Sequence, residues 1–459
     1  MEKEQIRRRK QLVVVVTIIV MLSSYIIACV FCFGNLHRWL SYDDSSFSSI
    51  TSSKPSLLLP RHRHHHNKHH HNDSFTIVQF ADLHFGEEDH RSRFNDEQTK
   101  KVMKTVLDSE REVDLVVFSG DQISGWAIDT HQTKTLFFKE ALSVVEEAEI
   151  NYAVIWGNHD DQPYHLDTVA WFVWTIRISI LLIAVIILLL LLLFFFFLSQ
   201  DKKKVIIITL SSVFLILLMT TVSIMFLTTP SKNARNAISM QVISESNLSI
   251  GQAGPEGVHG HSNFYYHTHI LNNDHSLLIL FFDSGGGRLP EQIYDDQITW
   301  AESVFAFFPK SIISLAFMHI PLPEYNHRNK TKHCFGKHGE SPSNVHYEHK
   351  SLYECLAHKK RTKAIFAGHD HANSWCCVSE SGMPALCYGR HTGYSGDYYA
   401  AIDSTTAATK NRTNNDNKRG ARVIKISSSS SSSNTDDGVQ IKTWLRMEDG
   451  TTQESVNLF

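Results

Sequence analysis

Short apolar runs in this chain end repeatedly at residues that can bind metal ions. Five such runs, rich in β-branched residues, each stop directly before or beside an Asp, Asn or His. Nitrogen and oxygen ligands of this kind hold hard or borderline divalent cations. A single polar residue at a strand end is commonplace, but five at the same position relative to their strands favour a metal site. The residues at these ends are Asp82, His84, Asp121, Asn158, His159, His319, His369 and His371.

The elements that position these residues are expected to be neighbouring strands of a sheet. The carboxyl ends of such strands meet at one edge, where short loops can converge on a pair of ions. Two cations held about 3.5–4 Å apart repel, so an anionic ligand must lie between them. Asp121, directly after Gly120, is the candidate bridge. The first ion is assigned to Asp82, His84, Asp121 and His371, and the second to Asp121, Asn158, His319 and His369.

The order of these motifs resembles that of a known enzyme family. DLH, GD, GNHD, a lone His and GHDH resemble the motifs of the calcineurin-like metallophosphoesterases. FADLHFGE, VVFSGDQISGW, FMHIPLPEY and GHDHANSWCC resemble the purple-acid-phosphatase-like branch of plants and fungi. The resemblance runs from Phe75 to Trp444, apart from one insertion. It implies an α/β fold, a sandwich of two mixed β-sheets flanked by helices. Helices are expected at Asp96 to Glu112 and at Thr133 to Ala148.

The chain departs from the purple enzymes at two positions. Those enzymes place a ligand Tyr three residues after the Asp of the GD motif, where this chain has Ser124. They have Gly two residues after the first Asp, where this chain has His84. A tyrosinate-to-iron colour is therefore not expected, and the resemblance leaves Fe, Mn and Zn open, as divalent or mixed-valence ions.

The expected reaction is hydrolysis of phosphate monoesters by a metal-activated hydroxide. His159, adjacent to a ligand but not assigned to an ion, is expected to bind the phosphate with Asn158 and to protonate the leaving group. Asp160 either orients that imidazole or is a turn residue, and Arg390 is a candidate phosphate contact. Alternatives are phosphodiester cleavage, a catalytically silent binding protein of the same fold, and a transporter accessory. The apolar segments 12–33, 178–198 and 205–227 contain almost no ionisable residue, which disfavours an ion path and hence the transporter role.

Three apolar segments are long enough to span a bilayer. They are Leu12 to Phe33, Ile178 to Leu198 and Val205 to Leu227. The residues at positions 7–10 and 202–204 are basic, so these two short stretches are expected on the cytoplasmic side of the membrane. The site motifs are then expected in the lumen or outside the cell. An uncleaved signal anchor is favoured over a cleaved signal peptide, and a gene-model artefact is the alternative for the hairpin. The predicted order is a basic cytoplasmic tail (1–11), signal anchor (12–33), Ser/His-rich stalk (34–73), first domain part (74–168), transmembrane hairpin (169–234) and second domain part (235–459).

Further features of the chain agree with this orientation. The sequons at Asn72, Asn247, Asn329 and Asn411 all lie in segments assigned outside. The His-rich tract of the stalk is read as a neutral linker rather than a metal-scavenging or pH-sensitive tether. A net charge of −3 gives no sign of nucleic-acid binding, and the oligomeric state is open. The cysteines outside the anchor suggest an oxidising compartment. The pairs considered are Cys377 with Cys387 and Cys334 with Cys355, leaving Cys376 unpaired.

Overall fold

A computed structural model describes most of the region expected to form the enzyme domain. It covers residues 74–87, 93–128, 131–162, 242–270, 275–330, 333–358, 361–378, 383–396, 418–428 and 438–458. The tail, anchor, stalk and hairpin predicted from the sequence lie outside these residues. In the described part of the chain, no helix combines the length and apolarity needed to cross a membrane.

Two mixed sheets form the centre of the fold. The first has six strands in the order β15-β14-β13-β1-β2-β3, and the second has seven in the order β4-β5-β7-β10-β12-β11-β8. A small sheet pairs β6 with β9. The strands are β1 (Ser74–Phe80), β2 (Leu115–Ser119), β3 (Tyr152–Ile155), β4 (Phe264–Ile270), β5 (His275–Phe281), β6 (Gln292–Ile293), β7 (Ile313–Phe317), β8 (His333–Phe335), β9 (His346–Tyr347), β10 (Thr362–Ala367), β11 (Cys376–Val378), β12 (Ala385–Tyr388), β13 (Gly420–Ser428), β14 (Val439–Met447) and β15 (Thr452–Asn457).

Parallel pairing is concentrated in the strands that precede the metal-binding motifs. In the first sheet β1, β2 and β3 run parallel, and in the second β5, β7, β10 and β12 do. Antiparallel strands complete both sheets at their margins. All the motif-bearing strands of a sheet therefore end at the same edge.

Four α-helices among the described residues cover the outer faces of the sheets. They are α1 (Phe94–Ser109), α2 (His131–Glu147), α3 (Asp295–Phe307) and α4 (Leu352–His358), and a 3-10 helix spans Pro323–Lys330. The first two confirm the helices expected after the first two site motifs, with starts two residues earlier and ends one to three residues earlier.

Alternation along the strands builds the layers. Successive side chains of a strand point to opposite faces. Ile77 of β1 thus packs between the sheets with Phe281 and Phe317, whereas its neighbour Val78 packs against α1 and α2. A third cluster, which includes Trp300, lies between the second sheet and α3 and α4. Because both faces of the central strands are buried, their sequences are continuous apolar runs.

The disulfides differ from the pairs considered from the sequence. Cys334 pairs with Cys377 and Cys376 with Cys387, while Cys355 on α4 is in neither of these disulfides. Adjacent residues of a strand face opposite sides, so Cys376 and Cys377 must find different partners. Strand β11 lies between β8 and β12, and the register sets Cys377 opposite Cys334 and Cys376 opposite Cys387.

Candidate metal centre

The predicted ligands converge where the two sheets meet at their carboxyl edges. Strands β1, β2 and β3 of the first sheet are followed by Asp82 and His84, by Asp121 and by Asn158. Strands β7 and β10 of the second sheet are followed by the remaining ligands, His319, His369 and His371. The loops interlock through backbone hydrogen bonds, including His84 N–H to the Asp121 carbonyl at 2.9 Å and Gly368 N–H to the His319 carbonyl at 2.9 Å.

Several ligand residues have backbone conformations that side chains normally avoid. Asp82, His84, Asp121 and His369 have φ values of 57°, 54°, 54° and 75°. Non-glycine residues in this left-handed region are uncommon and cluster at functional sites, where the surrounding structure must hold them. The strand-to-loop turns therefore aim these side chains inward at an energetic cost.

The first predicted ligand group is assembled as expected. Ligand atoms of Asp82, His84, Asp121 and His371 all lie within 4.8 Å of one another. The Nε2 atoms of His84 and His371 are 3.2 Å apart. His371 Nδ1 donates to the Gly396 carbonyl at 2.8 Å, and His84 Nδ1 lies 2.9 Å from Ser124 Oγ. With both Nδ1 atoms acting as donors, two lone pairs face each other, which is a favourable arrangement only around a cation.

The second predicted group lies beside the first and shares Asp121 with it. Ligand atoms of Asp121, His319 and His369 lie within 4.8 Å of one another. Asn158 Oδ1 completes this group, at 2.9 Å from His319 Nε2 and 3.0 Å from His369 Nδ1. His319 Nδ1 donates to the Ser119 carbonyl at 2.8 Å, which leaves Nε2 for an ion.

Two glycines make room for the Asp121 carboxylate and the His319 ring. A Cβ at Gly157 would lie 2.1 Å from Asp121 Oδ1, and one at Gly120 would lie 2.2 Å from His319 Nδ1. Gly120 also has a φ of 101°. The glycines of the GD and GNHD motifs are thus required by close packing around the ligands.

The donor set fits a pair of cations. Asp121 Oδ2 is buried and has no hydrogen-bond partner, yet it faces His319 Nε2 at 3.1 Å and His84 Nε2 at 3.7 Å. Burial raises the pKa of Asp82 to about 8 and lowers the pKa of His84 well below its usual value. Burial also acts to lower the pKa of His319, but the carboxylates of Asp121 and Asp82 and the Ser119 carbonyl together outweigh it and raise that pKa to about 10.

His159 lies at the rim of the shared carboxylate, with 18% of its side chain exposed. Its Nε2 is 4.0 Å from Asp121 Oδ2, and its ring centroid is 5.0 Å from that of His84. Gln162 Oε1, 2.9 Å from His159 Nδ1, orients the ring, a role that the sequence reasoning did not assign to Gln162. This orientation directs Nε2 toward the ligand cluster.

Asp160 has the turn role rather than the role of orienting His159. Its carboxylate accepts backbone N–H groups from Gly157 at 2.7 Å, Asp121 at 3.1 Å and Ile123 at 3.0 Å. It therefore joins the loop that carries Asn158 to the loop that carries Asp121. Because these bonds are local to the two loops, the sequence alone could not distinguish the two roles.

Arg390 is held by the protein backbone rather than presented to a phosphate. It is buried, and its Nε and Nη2 donate to the Lys418 carbonyl at 3.1 and 2.5 Å. The residue in this segment that approaches the ligands is His391, whose ring centroid is 4.0 Å from that of His371. Arg419 Nη1 donates to His391 Nδ1 at 2.8 Å, and His391 Nε2 donates to the Ser395 carbonyl at 3.0 Å. Sequence reasoning missed His391 because it belongs to no recurring motif.

Comparison with known proteins agrees with this geometry. Residues 75–269 match the family described as calcineurin-like phosphoesterase. The chain contains a calcineurin-like phosphoesterase domain. The matched range holds the ligands from Asp82 to Asn158, and the fold supplies the others from beyond it.

The relatives include proteins with different descriptions of activity. The chain is 24% identical over 344 residues to Phosphatase DCR2 of Saccharomyces cerevisiae, covering 69% of this chain and 47% of that protein. It is 22% identical over 352 residues to Probable inactive purple acid phosphatase 14 of Arabidopsis thaliana, covering 70% and 71%. A solved structure, purple acid phosphatase PPD1 from yellow lupin, has 12% identity and a TM-score of 0.42, with 84% of this chain and 53% of that chain covered. The chain therefore spans about half the length of the yeast relative.

Proposed function

We propose that the chain is a binuclear metal-dependent phosphoesterase that hydrolyses phosphate monoesters. The observation that carries this proposal is the orphaned Asp121 Oδ2 at the junction of two ligand groups. A buried carboxylate oxygen that faces imidazole nitrogens on both sides is suited to hold two cations together. When bound, such a pair of ions would lower the pKa of a water molecule and neutralise charge on the phosphoryl oxygens.

The protein residues contribute position and proton transfer. Strand-end turns position four of the seven ligand residues, and hydrogen bonds to the outer nitrogens hold His319 and His371. His159 stands beside them, and its ring is held at Nδ1 by Gln162. A protonated Nε2 can donate to a phosphoryl oxygen and then to the departing alkoxide, as a positioned general acid does. His159 is thus proposed to act as that acid and Asn158 to contact the phosphate.

The proposal is tested on the purified full chain. We expect two ions per chain after loading with Mn²⁺, Zn²⁺ or Fe²⁺, and hydrolysis of at least one phosphate monoester from a panel of phosphoprotein, nucleotide, lipid and sugar phosphates. Asp82→Ala is the inactive control, because it removes a ligand of the first ion. Faster hydrolysis of diesters would favour a phosphodiesterase. Two bound ions with turnover no higher than that of the control would show a binding protein, the alternative that the relatives named probable inactive keep open.

We also propose that the domain is anchored to a membrane, with its site lumenal or extracellular and the N-terminus in the cytoplasm. The apolar segments and their basic flanks support this arrangement. The two disulfides of the described domain are typical of an oxidising compartment. Asn247, the acceptor of one sequon, is exposed. If an endoglycosidase removes no mass from the chain, and an epitope at Lys203 is reached by protease from the lumenal side, the orientation is wrong.

A further inference from the structure

The Ser124 hydroxyl and the Glu87 carboxylate form a hydrogen-bonded chain on the Nδ1 side of His84. His84 Nδ1 lies 2.9 Å from Ser124 Oγ, and Ser124 Oγ lies 3.0 Å from Glu87 Oε2. Glu87 Oε2 is itself 3.7 Å from His84 Nδ1. Neither Ser124 nor Glu87 belongs to the ligand groups, and both lie beside Nδ1 of His84, whereas His371 lies beside its Nε2.

The chemistry of the three groups fixes the direction of this chain of bonds. An ionised carboxylate can only accept, so the Ser124 hydroxyl donates to Glu87. The oxygen of Ser124 is then available to accept the Nδ1 proton of His84. This leaves the Nε2 lone pair of His84 directed at His371 Nε2, 3.2 Å away, where an ion would bind.

His84 is supported differently from two other imidazole ligands. His319 and His371 donate to the backbone carbonyls of Ser119 and Gly396. His84 instead donates to the Ser124 hydroxyl, which in turn donates to the Glu87 carboxylate. A carboxylate behind a ligating histidine fixes its tautomer and raises its basicity toward a cation. The added charge therefore acts on the ion that His84 binds.

The surrounding backbone holds the hydroxyl and the carboxylate in place. Ser124 is fully buried, and its N–H donates to the Phe85 carbonyl at 3.0 Å. Gly86 N–H lies 3.3 Å from both carboxylate oxygens of Asp96 on α1, which anchors the residue before Glu87. The side chain of Glu87 is 17% exposed, so its charge is only partly screened by solvent.

We propose that Ser124 and Glu87 are positioning residues that selectively strengthen binding of the ion held by Asp82, His84, Asp121 and His371. The second ion is assigned to Asp121, Asn158, His319 and His369. His84 is not among these ligands, so Ser124 and Glu87 do not support the second ion through it. Partners of this kind contribute about 10–100-fold in metal affinity. Ser124, at the position where the purple enzymes have their ligand tyrosine, thus orients the ligand His84 through a hydrogen bond to Nδ1. The inference rests on the proposed metal centre and is independent of turnover.

The test measures metal retention by the full chain. Chains loaded with Zn²⁺ are equilibrated with graded chelator, and the metal content is determined by mass spectrometry. For Ser124→Ala and Glu87→Gln we expect one of the two ions to be lost at roughly 10–100-fold lower chelator concentration, with the other retained as in the unmodified chain. Ser124→Thr, which keeps the hydroxyl, should lie closer to the unmodified chain than Ser124→Ala. Loading with Co²⁺ gives a second readout, because an altered His84 ligand field should shift the visible bands.

Glu245→Gln is the matched control, since Glu245 is an exposed carboxylate paired with Lys139 far along the chain from the ligands. Equal weakening of both ions, or no change in either, would overturn the inference. If Ser124→Ala does not fold, Glu87→Gln carries the test, because Glu87 is partly exposed and keeps its shape as Gln. Two retained ions without hydrolysis in the unmodified chain would contradict the proposed function and leave this inference standing.

Discussion

Replacing Asp121 by Asn isolates the charge that the two ligand groups share. Asp121 Oδ1 accepts the His159 backbone N–H at 2.7 Å, and an amide oxygen can keep that bond. Only Oδ2, the orphaned oxygen, then becomes an NH₂ group. Because the shape of the side chain is nearly unchanged, the substitution removes the bridging ligand without opening a cavity.

The magnitude follows from the distances around Oδ2. This oxygen lies 3.1 Å from His319 Nε2 and 3.7 Å from His84 Nε2, so cations bound by these nitrogens would lie within about 4 Å of it. A unit charge pair at that separation is worth about 4 kcal/mol at an effective dielectric of about 20. That energy corresponds to roughly a thousandfold in affinity. Both ions should weaken by at least this factor, and phosphomonoester hydrolysis should fall to background.

The assay is metal content after gel filtration in metal-free buffer, alongside hydrolysis of nitrophenyl phosphate. Asp114→Asn is the control, since Asp114 is a carboxylate at the opposite end of β2 that accepts the Thr76 N–H at 2.7 Å. We expect the control to keep two ions and Asp121→Asn to keep none, with unchanged near-ultraviolet circular dichroism. Two ions retained by Asp121→Asn would refute its assignment as the bridge.

Three further outcomes are expected. His159→Ala should leave both ions bound and slow alkyl phosphates by about 10²–10⁴-fold but nitrophenyl phosphate less; equal losses would assign His159 to phosphate binding. Gly157→Ala should displace Asp121 and lower metal content, because its Cβ would meet Oδ1 at 2.1 Å, whereas Gly257→Ala meets nothing within 4 Å and should keep both ions at a cost of about 1 kcal/mol in unfolding free energy. Cys334→Ser opens a link that spans 43 residues and should cost about 4 kcal/mol in chemical denaturation, while Cys355→Ser should cost little.

The sequence predicted those ligand residues that directly follow a strand along the chain. Asp82, Asp121 and His319 each follow a buried apolar run, and a strand end has only one edge of the sheet to reach. The ligand grouping was therefore accessible without coordinates, whereas the two mixed sheets were expected from the family resemblance.

Failures came from relations between distant segments. The disulfide partners depend on the order of β8, β11 and β12, which no local pattern encodes. The hydrogen bond of Arg390 to the Lys418 carbonyl could not be foreseen, because the two residues are separated by a long connection in the sequence. Glu87 is the last residue of the FADLHFGE motif, but its hydrogen bond to Ser124 forms only when the loops after β1 and β2 pack together.

Because the candidate ligands are divided between two sheets, tight metal binding would require that the two sheets have already packed together. One sheet supplies Asp82, His84, Asp121 and Asn158, and the other supplies the three remaining histidines. Neither sheet alone carries a full set for either ion, so tight binding waits until the two have docked. The first set is encoded before residue 163 and the second after residue 241, so a nascent chain becomes competent only late in synthesis. At a free metal concentration of about a hundred times the dissociation constant, each bound ion would add about 2.7 kcal/mol to the free energy of separating the sheets. The stability of the folded domain would therefore depend on the metal supply.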